Sequence, residues 1–372
     1  MTSKNIRYEY MSLICSSSSE TNGSYSTFPD KFFDFLDEVR PKFDMLSCTY
    51  RDKPLTCDKI FKPVLTEEGV CYTLNMLDRS EIFRNNVVHF RNYHKFNRFS
   101  TNWSIENGYT DGVGLSTYPR RALLAGAKNG FSFHLVAFSK DLDYLCKNSY
   151  QGYKVSVHPP TSLPIPSQDY FRVPLDQSVV AKIQPVMINT SDSVRAYSKQ
   201  RRRCYFQSER HLQYFKIYSS VNCDIECLAN YTLDVCECVN FYMPRDNTTS
   251  ICGTEKLECM RDAERDMQLK NLKTKLEKGK AKKKIKSQTE CDCLPLCTDL
   301  SYDVETSQTD WEWNKWFEAQ ALESLEGLAN FGGLLGLFTG FSVLSMMEIV
   351  YFATVRMICN TRLYGHWSGQ DS

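Results

Sequence analysis

The sequence has few histidines, almost no net charge and almost no long apolar runs. Its six histidines form no H-E-x-x-H or other ligand pair, and neither a G-x-S-x-G elbow nor a phosphate-binding loop is present. His89 and His94, in VVHFRNYHKF, read as satisfied surface or core histidines. These absences argue against an enzyme. A net charge of +1 supplies no global field for nucleic acid or an acidic substrate. No repeat of fixed period is visible. Residues 1–30, MTSKNIRYEYMSLICSSSSETNGSYSTFPD, lack the apolar core of a signal peptide.

Cysteine is abundant. Of 16 cysteines, all but Cys359 precede the one long apolar run. The Asn-x-Ser/Thr acceptors Asn22, Asn102, Asn189, Asn230 and Asn247 precede it as well. Dense cysteine with several acceptors predicts an extracellular, disulfide-stapled, glycosylated region. The uncharged run Gly327–Met347 has 21 residues. At ~1.5 Å per residue it covers the roughly 30 Å hydrocarbon core of a bilayer. Glu318, Glu323 and Glu326 precede it and Arg356 and Arg362 follow, which predicts a cytoplasmic C-terminus. Nothing in residues 1–30 would start translocation of so large an ectodomain, so the expectation is a natural upstream segment carrying another membrane span.

Along the chain, residues 1–47 are polar, with one predicted amphipathic helix in PDKFFDFLDEVRPKF. Asp30 is its expected cap, and Phe32, Phe33, Leu36 and Val39 its apolar face. Residues 48–203 hold short strand-like runs, such as FSFHLVAF (131–138) and YKVSVH (153–158), and the loop HPPTSLPIP. Residues 204–297 carry ten cysteines. The stretch between Cys259 and Cys291 reads as a solvated basic helix and loop, since its lysines flank no sustained apolar stripe, with a polyanion-binding patch as the alternative. The cysteine spacings are C-x3-C and C-x-C, whereas zinc knuckles prefer paired C-x2-C or histidines, so the pattern favours disulfides over metal. A C-x3-C on a helix puts Cys223 and Cys227 on one face, ready to be bridged twice to a partner strand. Spacing leaves the connectivity open.

Several segments together carry a family likeness: SCTYRDKPLTCDKIFKPVLTEEGVCYTLN (47–75), the cysteine run with CECVNFYMP, CDCLPLC (291–297) and ANFGGLLGLFTGFSVLSMMEI (329–349). Over most of residues 28–360 the chain resembles the degenerin/epithelial sodium channel family, most like insect pickpocket subunits. The resemblance implies an α+β fold, a disulfide-rich mixed-sheet ectodomain of finger, palm, β-ball and thumb like that of acid-sensing ion channels, followed by a transmembrane helix. By position it implies a partial finger in 1–47, palm and β-ball in 48–203, and a thumb in 204–297. It further implies a shortened connector in 298–326, a pore helix in 327–355 and a cytoplasmic tail in 356–372. The implied disulfides are Cys48–Cys57, Cys204–Cys297, Cys223–Cys293, Cys227–Cys291, Cys236–Cys259 and Cys238–Cys252, a nested ladder that ties a helical hairpin into a stiff lever. Cys71 would normally pair with a cysteine after the first span; here Cys15 or Cys146 is the substitute on offer.

Gly332, Gly336 and Gly340 recur every four residues and share roughly one helix face. They fit either a G-x-x-x-G dimer stripe or a narrow pore wall. Glu348 favours the pore, because a carboxylate in a span costs ~2.5–3.5 kcal/mol unless it faces water or a partner. The resemblance assigns Gly340, Phe341 and Ser342 to the selectivity filter, Gly336 to the position linked with amiloride block, and Ala329 with Asn330 to the degenerin gate. Glu348 would form an acidic ring in a trimer. The implied partners are identical or related subunits, the bilayer and permeant sodium, with no cofactor or nucleic acid, in the plasma membrane. Two departures stand out. The family's N-terminal cytoplasmic segment and first span are absent, and the stretch from Cys297 to Gly327 is about half the family's length, so a palm strand is expected to be missing. The alternatives are a single-pass cysteine-rich receptor or adhesion module dimerising through its glycines, and a non-conducting truncated channel isoform.

Overall fold

This computed structural model describes residues 3–15, 23–40, 45–88, 95, 103–114, 117–144, 146, 151–278, 291–339 and 343–364. The chain forms two compact units. One is residues 1–175 with 179–308, and the other is 176–178 with 309–372. The larger is a mixed α/β assembly of small sheets and helices cross-linked by disulfides.

Helices α1 (Ser3–Ile14) and α2 (Lys31–Val39) flank the short strand β1 (Thr27–Phe28), which pairs antiparallel with Ile251–Cys252. On α2, Phe32, Phe33, Phe35 and Leu36 are buried, whereas Val39 is 38% exposed. The stripe is thus rotated from the expected one, and α1 is the reason. Its Tyr10 sits edge-on to Phe28 and Phe32 and 5.4 Å from Phe35, so the aromatic side turns toward it. Each such ring removed from water is worth roughly 1.5–3 kcal/mol. Asp30 does not cap α2 through its side chain; its carboxylate pairs with the guanidinium of Arg245, which is buried.

Next along the chain, β2 (Met45–Tyr50) turns through Arg51 and Asp52, both at positive φ, into β3 (Lys53–Pro54). Two positive-φ residues make the tight hairpin turn that matches strand twist. α3 (Cys57–Ile60) follows, then the hairpin β4 (Lys62–Thr66) and β5 (Gly69–Thr73). α4 (Arg79–Ile82) starts on a reciprocal capping box of Asp78 and Glu81. After the small pair β6 (Trp103–Ser104) and β7 (Gly108–Tyr109), β8 (Phe131–Leu135) joins β2 on the side away from β3. The expected strand at 131–138 is therefore three residues shorter. β9 (Tyr153–Val155) pairs with β10 (Phe171–Val173), and the Pro-rich stretch between them has no strand or helix, as its composition predicts.

β11 (Gln177–Ile188) leads through the helical turn α5 (Lys199–Arg202) to the main helix α6 (Ser220–Cys236). Ser219 Oγ caps α6 by accepting from Asn222 N–H, and the helix stops at Glu237 in the left-handed region. β12 (Ile251–Cys252) closes on β1, and α7 (Leu257–Lys278) packs against α6. Met260 and Ala263 bury their side chains, while from Glu264 to Lys273 α7 is mainly exposed, consistent with a solvated basic helix. Residues 291–297, which hold no helix or strand, lead into β13 (Asp299–Asp310), which pairs with β11. The connector after Cys297 thus contains a twelve-residue strand where a strand was expected to be missing. Leu300, Tyr302 and Val304 alternate with polar residues on it, the period a strand requires.

The smaller unit is helical: α8 (Trp313–Thr339), α9 (Val343–Val350), a π-helical stretch Tyr351–Arg356, and α10 (Met357–Tyr364). Among the described residues no helix is long and apolar enough to cross a membrane. The apolar part of α8, from Gly327 to Thr339, covers about 20 Å. Its N-terminal half carries Lys315, Glu318, Glu323 and Glu326. The long apolar run is therefore shared between α8 and α9, on either side of Gly340, Phe341 and Ser342, which lie outside the described residues.

Candidate functional site

Two features bear on function: the segment clamped to α6, and the apolar helices with Glu348. α6 presents Cys223 and Cys227 one turn apart, bonded to Cys293 and Cys291 respectively. Cys204 is bonded to Cys297. Between these bonds Tyr205 N–H donates to Pro295 C=O and Cys297 N–H to Tyr205 C=O, each at 2.9 Å. Tyr218 Oη donates to Leu294 C=O at 2.6 Å, and Tyr205 Oη donates to the Asp292 carboxylate. Burial, reinforced by Asp292, pushes the Tyr205 phenol up to about 12, so it stays a donor at any physiological pH. Burial raises Tyr218 as well. Residues 291–297 are thus pinned to α6 and to the segment that leads into it, and β13 begins two residues after the last bond. The rest of the hairpin is tied by Cys236–Cys259 and Cys238–Cys252, and Cys48–Cys57 closes a loop at α3.

Cys15 is bonded to Cys146, so the two candidate partners of Cys71 join each other. Cys71 Sγ lies 3.3 Å from Thr66 Oγ1. The separation of 131 residues between Cys15 and Cys146 leaves no spacing signature in the sequence. Asp143 brings a third metal-type donor to this pair, but the two sulfurs are bonded to each other.

In the helical unit Glu348 is exposed on α9. Ser345, Glu348, Ile349, Phe352 and Ala353 line one shallow groove that runs from α9 onto the π-helical stretch. Around it Met346, Met347, Ile349, Val350 and Phe352 are each about half exposed or more. Apolar side chains thus surround the carboxylate on exposed surface. Ala329 and Asn330 are exposed on α8, and Gly336 belongs to the same helix. A cluster the sequence reading passed over opens α8: Trp313 lies 5.1 Å from Trp316, 5.8 Å from Trp311 and 6.2 Å from Phe317, centroid to centroid.

Comparison with known proteins fits both features. A family model described as amiloride-sensitive sodium channel matches residues 3–326 and, overlapping, 315–352. The chain belongs to the amiloride-sensitive sodium channel family. It is 28% identical to pickpocket protein 28 of Drosophila melanogaster over 361 residues, covering 86% of this chain and 57% of that one. It is 22% identical to sodium channel protein Nach of the same species, covering 89% and 62%, and 20% identical to degenerin deg-1 of Caenorhabditis elegans, covering 68% and 34%. The chain thus spans about three-fifths of the first and second of these relatives. The amiloride-sensitive sodium channel family is one of channels, not enzymes.

Of the acceptor asparagines in this family member, Asn22 and Asn102 lie outside the described residues. Asn189 and Asn247 are exposed. Asn230 is half-buried on α6 and its Thr232 is fully buried, which makes it the poorest acceptor of the three.

Proposed function

We propose that the chain is a subunit of a trimeric, amiloride-sensitive sodium (cation) channel of the plasma membrane. In this reading the disulfide-rich unit is extracellular, the C-terminus is cytoplasmic, and sodium passes a pore lined by the glycine-rich run. One observation carries the proposal: the family match extends from the cross-linked unit through the apolar run to Phe352. The exposed Glu348 and its apolar surround support it, since a carboxylate amid such a face needs water or neighbouring subunits. Gly340, Phe341 and Ser342 act as the filter and Gly336 as the amiloride position. Motion of α6 reaches the gate through the clamped segment 291–297 and β13.

The test is reaction of water-soluble thiol reagents with Gly336→Cys, Ser342→Cys and Glu348→Cys in a full channel assembly. Block or change of the sodium current is expected at these sites. Inertness at all three, in an assembly shown to reach the surface, rejects the pore assignment in favour of a glycine-mediated receptor or a non-conducting isoform.

A further inference from the structure

The segment from Arg195 to Arg210 concentrates cations that neither a pore nor the disulfide ladder requires. Arg195, Lys199, Arg201, Arg203 and Arg210 are exposed there. Aromatic rings underlie them. Arg195 lies 4.4 Å from the Phe206 centroid, Arg201 4.3 Å from Tyr197, and Lys199 5.5 Å from Tyr205. Phe206 and Tyr205 are buried, so two of the three rings are a fixed floor. Arg202 behaves differently. Its side chain is 4% exposed, pairs with Glu209 and donates to Cys204 C=O and Tyr197 C=O. That pairing occupies the segment's exposed glutamate. The cations do not serve the helix they sit on, because a four-residue turn has little dipole to offset. Arg203 even stands at φ +56°, a left-handed position that favours glycine.

We propose that this face binds a sulfated polysaccharide, an inference that rests on the extracellular placement argued under Proposed function. Guanidinium forks match tetrahedral oxyanions in bidentate fashion, and stacking on rings fixes them in advance. Outside the cell the anionic polymer on offer is sulfated glycan, since anionic lipid is concentrated in the cytoplasmic leaflet. The run Lys199-Gln-Arg-Arg-Arg203 also has the letters of a protease processing site. The structure argues against that use: Arg202 is withdrawn into hydrogen bonds, and Cys204 is tied to Cys297, so the segment cannot be drawn out as an extended substrate.

The experiment measures binding of the purified full chain in detergent to immobilised heparin, with neutral dextran as control. Wild type binds heparin with strong salt dependence and does not bind dextran. The triple variant Lys199→Gln, Arg201→Gln, Arg203→Gln binds about a hundredfold more weakly, at roughly fivefold per cation. Arg203→Gly alone suits the left-handed backbone, so its expected loss of about fivefold is not a folding defect. Three results overturn the proposal: unchanged heparin affinity in the triple variant, with loss instead on replacing Lys282, Lys283 and Lys284; binding to phosphatidylserine vesicles in preference to heparin; or cleavage of the folded chain after Arg202 or Arg203 by a basic-site protease. This assay does not depend on conduction, so its failure leaves the channel reading standing, and loss of the channel reading by thiol probing leaves the heparin result intact.

Discussion

Gly253 shows how tightly single positions are set. A Cβ there would stand 2.2 Å from Tyr25 O, a backbone atom, because the chain closes on Ser26 and Tyr25 through Gly253 N–H and Glu255 N–H. Backbone cannot yield as a flexible side chain does, so Gly253→Ala is expected to destabilise the larger unit by about 1–3 kcal/mol, read as a lower urea midpoint. His158 sets a pH dependence. Its half-buried imidazole faces Thr73 Oγ1 and Pro159 C=O, and burial lowers its pKa. Above about pH 6.5 the imidazole is neutral in both states. Below that the unfolded chain takes up a proton that the fold resists, so stability falls as pH drops toward the lowered value. Urea midpoints at pH 7.5 and 5.5 should differ for wild type and converge for His158→Gln; an unaltered difference would remove His158 from the account. Residue roles were the part of the sequence hardest to read. The apolar letters around Phe32 announced a helix, but which face was buried depended on α1, and Asp30 had a partner 215 residues away that no local pattern discloses.

At the scale of elements, the C-x3-C spacing was legible because a helix turn puts both sulfurs on one side, whereas their partners were not, since pairing depends on where a distant segment returns. β13 was legible in principle, as its alternation of Leu300, Tyr302 and Val304 with polar residues is a strand signal; comparison of connector length obscured it. The nesting of bonds has a measurable consequence. Cys204–Cys297 spans 93 residues and Cys223–Cys293 spans 70 within it. Removing the outer bond alone should cost little, because the inner one still closes most of the same loop in the unfolded chain. Removing both, with Cys227–Cys291 also replaced by serines, should cost about 2–4 kcal/mol more than the single losses predict. Urea unfolding of the three single, three double and one triple bond-removal variants checks this; strict additivity would mean that the three bonds act on separate regions and that residues 291–297 are not held as one clamp.

For the molecule as a whole, disulfide density was legible in the sequence, because dense cysteine is a constraint that composition alone reports; the apolar run predicts a span, and among the described residues no helix is long and apolar enough to cross a membrane. The apolar letters from Gly327 to Met347 count as one run, of which the described residues place 327–339 on α8 and 343–347 on α9. The proposed gate makes the strongest demand on the assembly. Ala329 is exposed on α8 in the single chain. If copies close a constriction at this level, three valines must crowd where three alanines pass. Overpacking of that kind typically costs 1–3 kcal/mol per site, and the closed state alone bears it. A shift of about 1.4 kcal/mol already changes the open-to-closed ratio tenfold. Ala329→Val in a full channel assembly is therefore expected to raise resting sodium current roughly tenfold or more, with Ala329→Gly near wild type and Ala329→Phe at least as active as valine. The measurement is whole-cell current normalised to surface protein. Equal resting currents across Gly, Ala, Val and Phe would show that no neighbouring subunit approaches Ala329, and the gate would have to be sought elsewhere along α8.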